Sequence, residues 1–304
     1  MRTFRALAIL GVVVGFALAM LGSWTRINSA GMTCPDWPLC QGAVVPVLHG
    51  GVVLEWLHRL LAALETFVVA GLIIAGLRVR PPIPALRPLL LALGSVFVLQ
   101  VLIGGATIAY ANSPLSVTIH WGTAMLLLAV LSSLVVVAFS TPSASGDSTG
   151  SRRTAIPLLV AACWAWLTMC AGALVSSSGA GLACPSVPGC DAAFFGQTIP
   201  QALQMTHRFL AAALVVFAVA AAASLPRSLQ RSAAALRVAL TLAILQIALG
   251  VLNVVWLLPM PLREAHAANA VATFLAFVVA TVFALLDGAG APASVRDEET
   301  SYAL

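Results

Sequence analysis

Residues 52–77 read VVLEWLHRLLAALETFVVAGLIIAGL, a run long enough to cross a membrane as one helix. About 20 apolar residues suffice to span the hydrocarbon core of a bilayer. Near one end, however, the run carries Glu55, His58 and Arg59. Ionisable side chains at membrane depth are costly and usually functional, so this stretch predicts both a spanning helix and a functional site.

The whole chain has the composition of a membrane protein. Of its 304 residues, 61% are hydrophobic and only 8% are charged, whereas a soluble domain has about 25% charged residues. Continuous hydrophobicity favours helices over the weakly alternating strands of a barrel. The predicted fold class is therefore an all-α integral membrane protein with eight transmembrane helices. These are predicted at roughly 4–24, 52–77, 87–110, 115–139, 155–176, 201–224, 238–258 and 263–286.

The arginines predict the orientation of these helices. In an eight-helix topology, eleven arginines fall on one side of the membrane, and only Arg26, Arg59, Arg208 and Arg263 fall on the other. The side with the excess of basic residues is normally cytoplasmic. Both termini are thus predicted to be cytoplasmic, in a protein that crosses the cell membrane several times.

The sequence also repeats itself. The segment SAGMTCPDWPLC (29–40) resembles GAGLACPSVPGC (179–190), EWLHRLLAA (55–63) resembles QMTHRFLAA (204–212), and LQVLIGG (99–105) resembles LQIALGV (245–251). Matches in the same order at slowly changing offsets indicate a duplicated unit. Four helices separate each segment from its copy, so the repeat is parallel. We expect two tandem, pseudo-symmetric four-helix bundles.

The repeat and the composition divide the chain into four parts. Residues 1–140 form the first bundle and 155–287 the second. The polar, Gly- and Ser-rich segment 141–154 is predicted to be a cytoplasmic linker. Residues 288–304 are predicted to be a cytoplasmic tail.

Four histidines lie near the outer ends of the even-numbered helices, in one layer of the membrane: His58, His120, His207 and His266. Zinc or a di-iron site would need further Cys, Asp or Glu ligands in that layer. A haem needs only two axial imidazoles. One bis-histidine haem in each half is therefore the economical hypothesis, and buried histidines bonded to their neighbours are the alternative.

The residues beside the histidines differ between the halves. Glu55 lies three positions before His58, on the same helical face, whereas Gln204 occupies that place in the second half. A carboxylate at a haem edge would accept a proton or stabilise a cationic intermediate. Alternatively, it is a helix-end group that reaches water. Arg59 and Arg208 would contact haem propionates, or extend to the aqueous interface.

His49 and Glu65 have no counterpart of the same type in the second half. His49 falls in the first outer loop, so we expect a solvated residue. Glu65 lies further along the second helix without a neighbouring histidine. It is predicted to have a packing or hydrogen-bonding role.

Each outer loop holds two cysteines, six positions apart, around two prolines. The oxidising outer compartment favours the disulfides Cys34–Cys40 and Cys184–Cys190. Closing so small a ring contributes roughly 2–3 kcal/mol by the chain-entropy estimate. A redox-active pair remains the alternative, more so for the first loop than for the second.

Taken together, these motifs resemble the haem A synthase family over essentially the whole chain. The resemblance rests on the segments TCPDWPLC and ACPSVPGC, the acidic residue of EWLHR, the THR of the second half and the later lone histidines. The second loop has PSV where the first has PDW. The resemblance implies oxidation of the C8 methyl group of haem O to the formyl group of haem A.

The resemblance also implies roles for individual residues. His58 and His120 would flank the substrate haem, Glu55 would be the catalytic acidic residue, and His207 and His266 would bind a haem b cofactor. The expected partners are a haem O synthase and an electron-transfer protein, and a homo-oligomer is left open. The runner-up function is a bis-histidine di-haem cytochrome that exchanges electrons with quinone. A quinone-coupled thiol oxidase ranks third.

Overall fold

The computed structural model describes residues 1–140, 148–190 and 193–288. In these ranges the chain folds into eight long helices, each long and apolar enough to cross a membrane. The predicted all-α membrane fold is confirmed. The helices are α1 (Arg2–Ile27), α2 (Gly50–Leu77), α3 (Leu86–Ala109), α4 (Pro114–Phe139), α5 (Ser148–Ser177), α6 (Ile199–Ser224), α7 (Gln230–Val255) and α8 (Met260–Gly288).

Two helices begin earlier than their hydropathy predicts. Helix α5 begins at Ser148 rather than near 155, so the second part of the predicted linker is helical. Helix α7 begins at Gln230 rather than near 238. Its first turns contain three consecutive alanines, which favour helix without adding much hydropathy. Residues 141–147 of the linker and 289–304 of the tail lie outside the described residues.

Local sequence signals fix where some helices start. Ser113 caps α4 through its hydroxyl, which accepts the Ser116 N–H, and proline occupies the first turn. Thr198 and Gln201 form a reciprocal capping box at the start of α6. Such caps satisfy backbone N–H groups that have no partner within the helix.

Each half of the chain is a ring of four helices. In the first half, α1 packs against α2 and α4, while α3 packs against the same two helices. In the second half, α5 packs against α6 and α8, and α7 completes the ring in the same way. Consequently α2 and α4 lie diagonally opposite each other, as do α6 and α8.

The two rings share a seam formed by α1 and α4 on one side and α5 and α8 on the other. Met125 and Leu128 of α4 belong to the same buried cluster as Phe277 of α8. Trp166 of α5 donates its indole N–H to the Gly122 carbonyl of α4 at 2.9 Å. Since α4 lies at the seam, 67% of its span is buried, against 11% for the peripheral α3.

The orientation of the bundle remains a prediction with a direct test. Green fluorescent protein fused after residue 287 should fluoresce, because the arginine excess places this end in the cytoplasm. Alkaline phosphatase fused after Thr198 should be active, because its disulfides form only in an oxidising compartment. Inactive phosphatase at Thr198, together with activity after residue 287, would reverse the topology.

Candidate functional site

The four predicted histidines lie on the diagonally opposite helices of the two rings. His58 is on α2 and His120 on α4, and the two imidazoles are close enough to interact electrostatically. His207 on α6 and His266 on α8 form the equivalent pair in the second half. The structure therefore brings together the histidines of each half in the way that the sequence predicts.

Each imidazole rests against a glycine of the preceding helix. A Cβ at any of these glycines would come within about 3 Å of the ring, a distance that side-chain packing rarely permits. A larger residue at any of these positions would therefore require the ring to shift. The pairs, with the distance that would separate such a Cβ from Cε1 of the imidazole, are Gly22 with His58 (2.8 Å), Gly104 with His120 (3.1 Å), Gly172 with His207 (2.9 Å) and Gly250 with His266 (3.3 Å).

A glutamine orients the histidine on α4 and on α8. The amide nitrogen of Gln100 lies 3.2 Å from Nδ1 of His120, and its oxygen accepts the Thr123 hydroxyl. The second half repeats this arrangement with different residues. The amide nitrogen of Gln246 lies 3.1 Å from Nε2 of His266, and Asn269 donates to its oxygen at 2.7 Å.

The remaining imidazole nitrogens differ in whether the protein provides a partner for them. Nδ1 of His207 lies 3.0 Å from the Thr168 carbonyl oxygen, so this nitrogen carries the proton and Nε2 presents its lone pair. The equivalent Leu18 carbonyl lies near His58, but Nδ1 of His58 makes no hydrogen bond with any described residue within the usual limits of distance and angle. Nδ1 of His266 is likewise buried with no partner in the described ranges. Such atoms are uncommon in folded proteins, and they are expected where a ligand completes the site.

Both outer loops are closed by the predicted disulfides, Cys34–Cys40 and Cys184–Cys190. The side chain three residues before the first histidine of each half anchors the loop. Glu55 accepts the Cys34 N–H and the Thr33 hydroxyl, both at 2.9 Å. Gln204 accepts the Cys184 N–H at 2.6 Å and donates to the Gly181 carbonyl at 2.8 Å. Glu55 and Gln204 therefore both hold the disulfide loop of their own half in place.

Charge distinguishes these two anchors. Glu55 forms an ion pair with Arg59 at 2.7 Å and is 4% exposed. Including its contacts with the loop, the carboxylate receives three hydrogen bonds, one of them from the Arg59 guanidinium. It is also close enough to His58 to act on it electrostatically. Gln204 is equally buried but brings no charge.

The two arginines beside the histidines are turned towards the loops. Arg59 donates to the carbonyls of Cys34, at 2.8 Å, and of Asp36 and Leu39. Arg208 donates to the Cys184 carbonyl at 2.8 Å and to three further loop carbonyls, of Ser186, Pro188 and Gly189. A guanidinium has five N–H donors. In both arginines, most of these N–H groups donate to carbonyls of the loop backbone.

Asp36 stabilises the first loop from outside the membrane. Its carboxylate accepts the N–H groups of Gly42 at 2.8 Å and Gln41 at 2.6 Å. The Gly42 N–H, more than any other contact, lowers the pKa of Asp36 from its ordinary value. The carboxylate therefore remains charged at neutral pH, and its contribution to the loop is lost only in acid. The second loop has Ser186 in this place.

The remaining candidates lie apart from the histidines. His49 is exposed and precedes α2, in keeping with a solvated loop residue. Glu65 is fully buried against Gly11 and Gly15 of α1, so the predicted packing role holds. Neither of its carboxylate oxygens has a hydrogen-bond partner among the described residues.

The sequence held signals for several site residues that were not predicted. Gln100 and Gly104 are part of LQVLIGG, and Gln246 and Gly250 are part of the repeated LQIALGV. The repeat marked these positions, but it did not indicate that they contact the histidines. Those contacts depend on how α3 packs on α4 and α7 on α8.

The fold and the site define a class of protein: a membrane-embedded bundle of two helical rings, each with a pair of imidazoles under a disulfide-closed loop. The family model for cytochrome oxidase assembly proteins (COX15-CtaA) matches residues 47–278. The chain therefore belongs to the COX15-CtaA family of cytochrome oxidase assembly proteins. It is a multi-pass protein of the cell membrane, as its helices predict.

Individual relatives are similar over most of the chain. The protein named Heme A synthase in Geobacillus kaustophilus is 32% identical over 273 residues, which are 86% of this chain and 83% of that protein. The Heme A synthase of Geobacillus thermodenitrificans is 33% identical over 219 residues, 69% of this chain and 66% of that protein. A Protoheme IX farnesyltransferase of Haloarcula marismortui is 35% identical over 77 residues, 25% of this chain and 16% of that protein.

We predict that replacing Cys184 and Cys190 by alanine lowers stability without abolishing activity. A ring this small contributes about 2–3 kcal/mol, and Gln204 and Arg208 still hold the loop. Thermal unfolding in detergent and turnover should be measured on the same preparation. Loss of all turnover at an unchanged unfolding temperature would show that this bridge takes part in the chemistry.

Proposed function

We propose that this chain is a haem A synthase, an oxidoreductase that converts the C8 methyl group of haem O into the formyl group of haem A for terminal oxidase assembly. The observation that carries the proposal is the pair of imidazoles on opposite helices of each ring. The family match and the relatives named Heme A synthase support the same function.

The residues of both rings fit a haem. Two histidines on facing helices supply the two axial ligands that a haem iron takes, and each imidazole packs into the space that a glycine of the neighbouring helix leaves. The unpaired Nδ1 atoms of His58 and His266 are further signs of an incomplete donor set. No group of three or more His, Cys, Asp or Glu among the described residues would hold a bare metal ion.

We assign the substrate to the first ring and the cofactor to the second. His58 and His120 would hold haem O, and His207 and His266 would hold haem b. Haem b supplies one-electron transfer when it is bound. In this assignment, residues 1–140 are the catalytic unit and residues 155–287 are the cofactor unit. The two units are a tandem, parallel duplication. Their outer ends face away from the cytoplasm.

Glu55 is the residue that makes the two rings chemically different. Conversion of a methyl group into a formyl group with the oxygen of water releases protons and passes electrons to the predicted electron-transfer protein. The carbon passes through electron-poor states on the way. An ionised carboxylate accepts such protons or stabilises the positive charge that develops. Arg59, Thr33 and the Cys34 N–H hold the Glu55 carboxylate in place. The neutral Gln204 of the second ring offers neither effect.

The loops above the rings have a supporting role in this proposal. Arg59 and Arg208 tie the disulfide loops to α2 and α6, which closes the outer end of each site and limits the access of water. The propionate contacts predicted for these arginines would require them to give up loop carbonyls. A haem O synthase and an electron-transfer protein remain the predicted partners.

Replacing His207 or His266 by alanine should remove haem b while the fold survives, because the ligand set is lost but the helix packing remains. Haem is measured by extraction and by the absorption spectrum of the purified protein. The exposed His49 provides a matched control, and His49→Ala should retain full haem content. Full haem content in His207→Ala and His266→Ala would refute the cofactor assignment.

Glu55→Gln should leave haem binding intact and reduce formyl production by roughly 10²–10³-fold, the usual cost of losing one preorganised electrostatic contact. Gln204 shows that glutamine in this place still accepts the N–H of the loop cysteine, so the substitution separates the charge from the loop contact. Haem O or a hydroxylated intermediate should accumulate in extracts.

The reciprocal change, Gln204→Glu, is the control, and it should confer no chemistry on the second ring. Wild-type haem A yield from Glu55→Gln would mean that the carboxylate only holds the loop. The di-haem electron-transfer cytochrome would then become the better proposal.

A further inference from the structure

A haem in the second ring would bring two propionate carboxylates into the membrane, and those groups need cationic partners. A carboxylate that leaves water without a partner is strongly destabilised. Arg208 is the arginine next to His207 in sequence, but its guanidinium is turned to the loop, where it donates to four carbonyls. A second arginine that does not bind the loop is better placed to meet these carboxylates.

Arg263 of α8 is placed where it could contact a propionate of a haem held by His266. It precedes His266 by three residues, so both side chains project from one face of the helix. Arg263 lies nearer the outer end by roughly 4.5 Å at 1.5 Å per residue. Arg263 is partly buried. The equivalent position before His120 in the first ring is Val117.

The neighbouring charges leave Arg263 available. Glu264 is turned to the seam, where Ser23 of α1 donates to its Oε2 at 2.8 Å. Arg26 also crosses the seam, and its guanidinium donates to the Ser176 hydroxyl of α5 at 2.6 Å. Arg26 and Glu264 are both close enough to Arg263 to interact electrostatically. The two arginines therefore outweigh the one carboxylate here.

A side chain of α7 near His266, that of Asn253, also has a polar atom without a hydrogen-bond partner among the described residues. Asn253 lies one turn outward from Gly250, which contacts His266. It is 6% exposed, and its Oδ1 has no hydrogen-bond partner among the described residues. In the first ring this position holds Thr107, whose hydroxyl is satisfied by the Gly104 carbonyl at 2.7 Å. At this position the second half thus carries an unsatisfied polar atom that the first half lacks.

We propose that Arg263 binds a propionate carboxylate of the haem held by His207 and His266, and that Arg208 serves the disulfide loop instead. This inference rests on the proposed function. A guanidinium matches a carboxylate in charge and in geometry, with two parallel N–H donors. Arg263 is accordingly a ligand-positioning residue specific to the second ring.

The test compares protohaem with protohaem dimethyl ester, in which both carboxylates are blocked. The full-length chain is purified without haem in a His58→Ala, His120→Ala background, so that only the second ring binds. Affinities for both compounds are measured by absorption titration. Arg263→Gln is the test variant, Arg263→Lys the conservative one and Arg208→Gln the matched control.

With Arg263 in place, protohaem should bind about tenfold or more tightly than its diester, the usual contribution of a hydrogen bond to a charged group. Arg263→Gln should abolish most of this preference by weakening protohaem alone, and Arg263→Lys should retain part of it. Arg208→Gln should keep the preference, because any change in the loop affects both compounds equally.

Two results would overturn the inference while leaving the proposed function intact. One is an undiminished preference for protohaem in Arg263→Gln, and the other is a preference that disappears only in Arg208→Gln. If the background protein with Arg263 in place binds neither compound, the haem b assignment itself fails, and the inference fails with it.

Discussion

Polar side chains in the hydrocarbon layer of a membrane must find their partners within the protein, because no water is present to replace them. This constraint governs the arrangement of the four histidines. Each imidazole lies against a glycine, and three of the four have a glutamine amide or a backbone carbonyl within hydrogen-bonding distance. The four-helix ring gives these imidazoles a common interior, where a ligand can complete what the protein leaves unpaired.

The same constraint explains the loops at the outer end. A short disulfide-closed loop exposes carbonyl groups that cannot pair within the loop itself. Arg59 and Arg208 satisfy those carbonyls from the ends of α2 and α6, while Glu55 and Gln204 satisfy one N–H group each. One helical turn thus carries a loop anchor, a histidine and an arginine. The motif links the histidine layer to the disulfide loop above it.

The two halves share this framework and differ in their charges. Glu55 and Asp36 make the outer part of the first half more acidic, where the second half has Gln204 and Ser186. The second half has Arg263 in place of Val117. Because the arginine and the loop anchor make similar backbone contacts in both halves, such substitutions change the electrostatics of each half while its main loop contacts remain. A duplicated unit can in this way acquire one reactive site and one binding site.

The spans, the repeat, the histidine pairs and the cysteine pairs could all be predicted from the amino-acid order, because each leaves a pattern that is local or periodic. Length and hydropathy identify a spanning helix, and equal offsets identify a copy. No such pattern reveals the partners of Arg59 and Arg208, or that Glu55 holds the loop as well as a charge. A sequence pattern also does not reveal the glycine under each imidazole, and it does not place Arg263 beside the second site. These contacts join residues of different helices, so only the packing of the helices decides them.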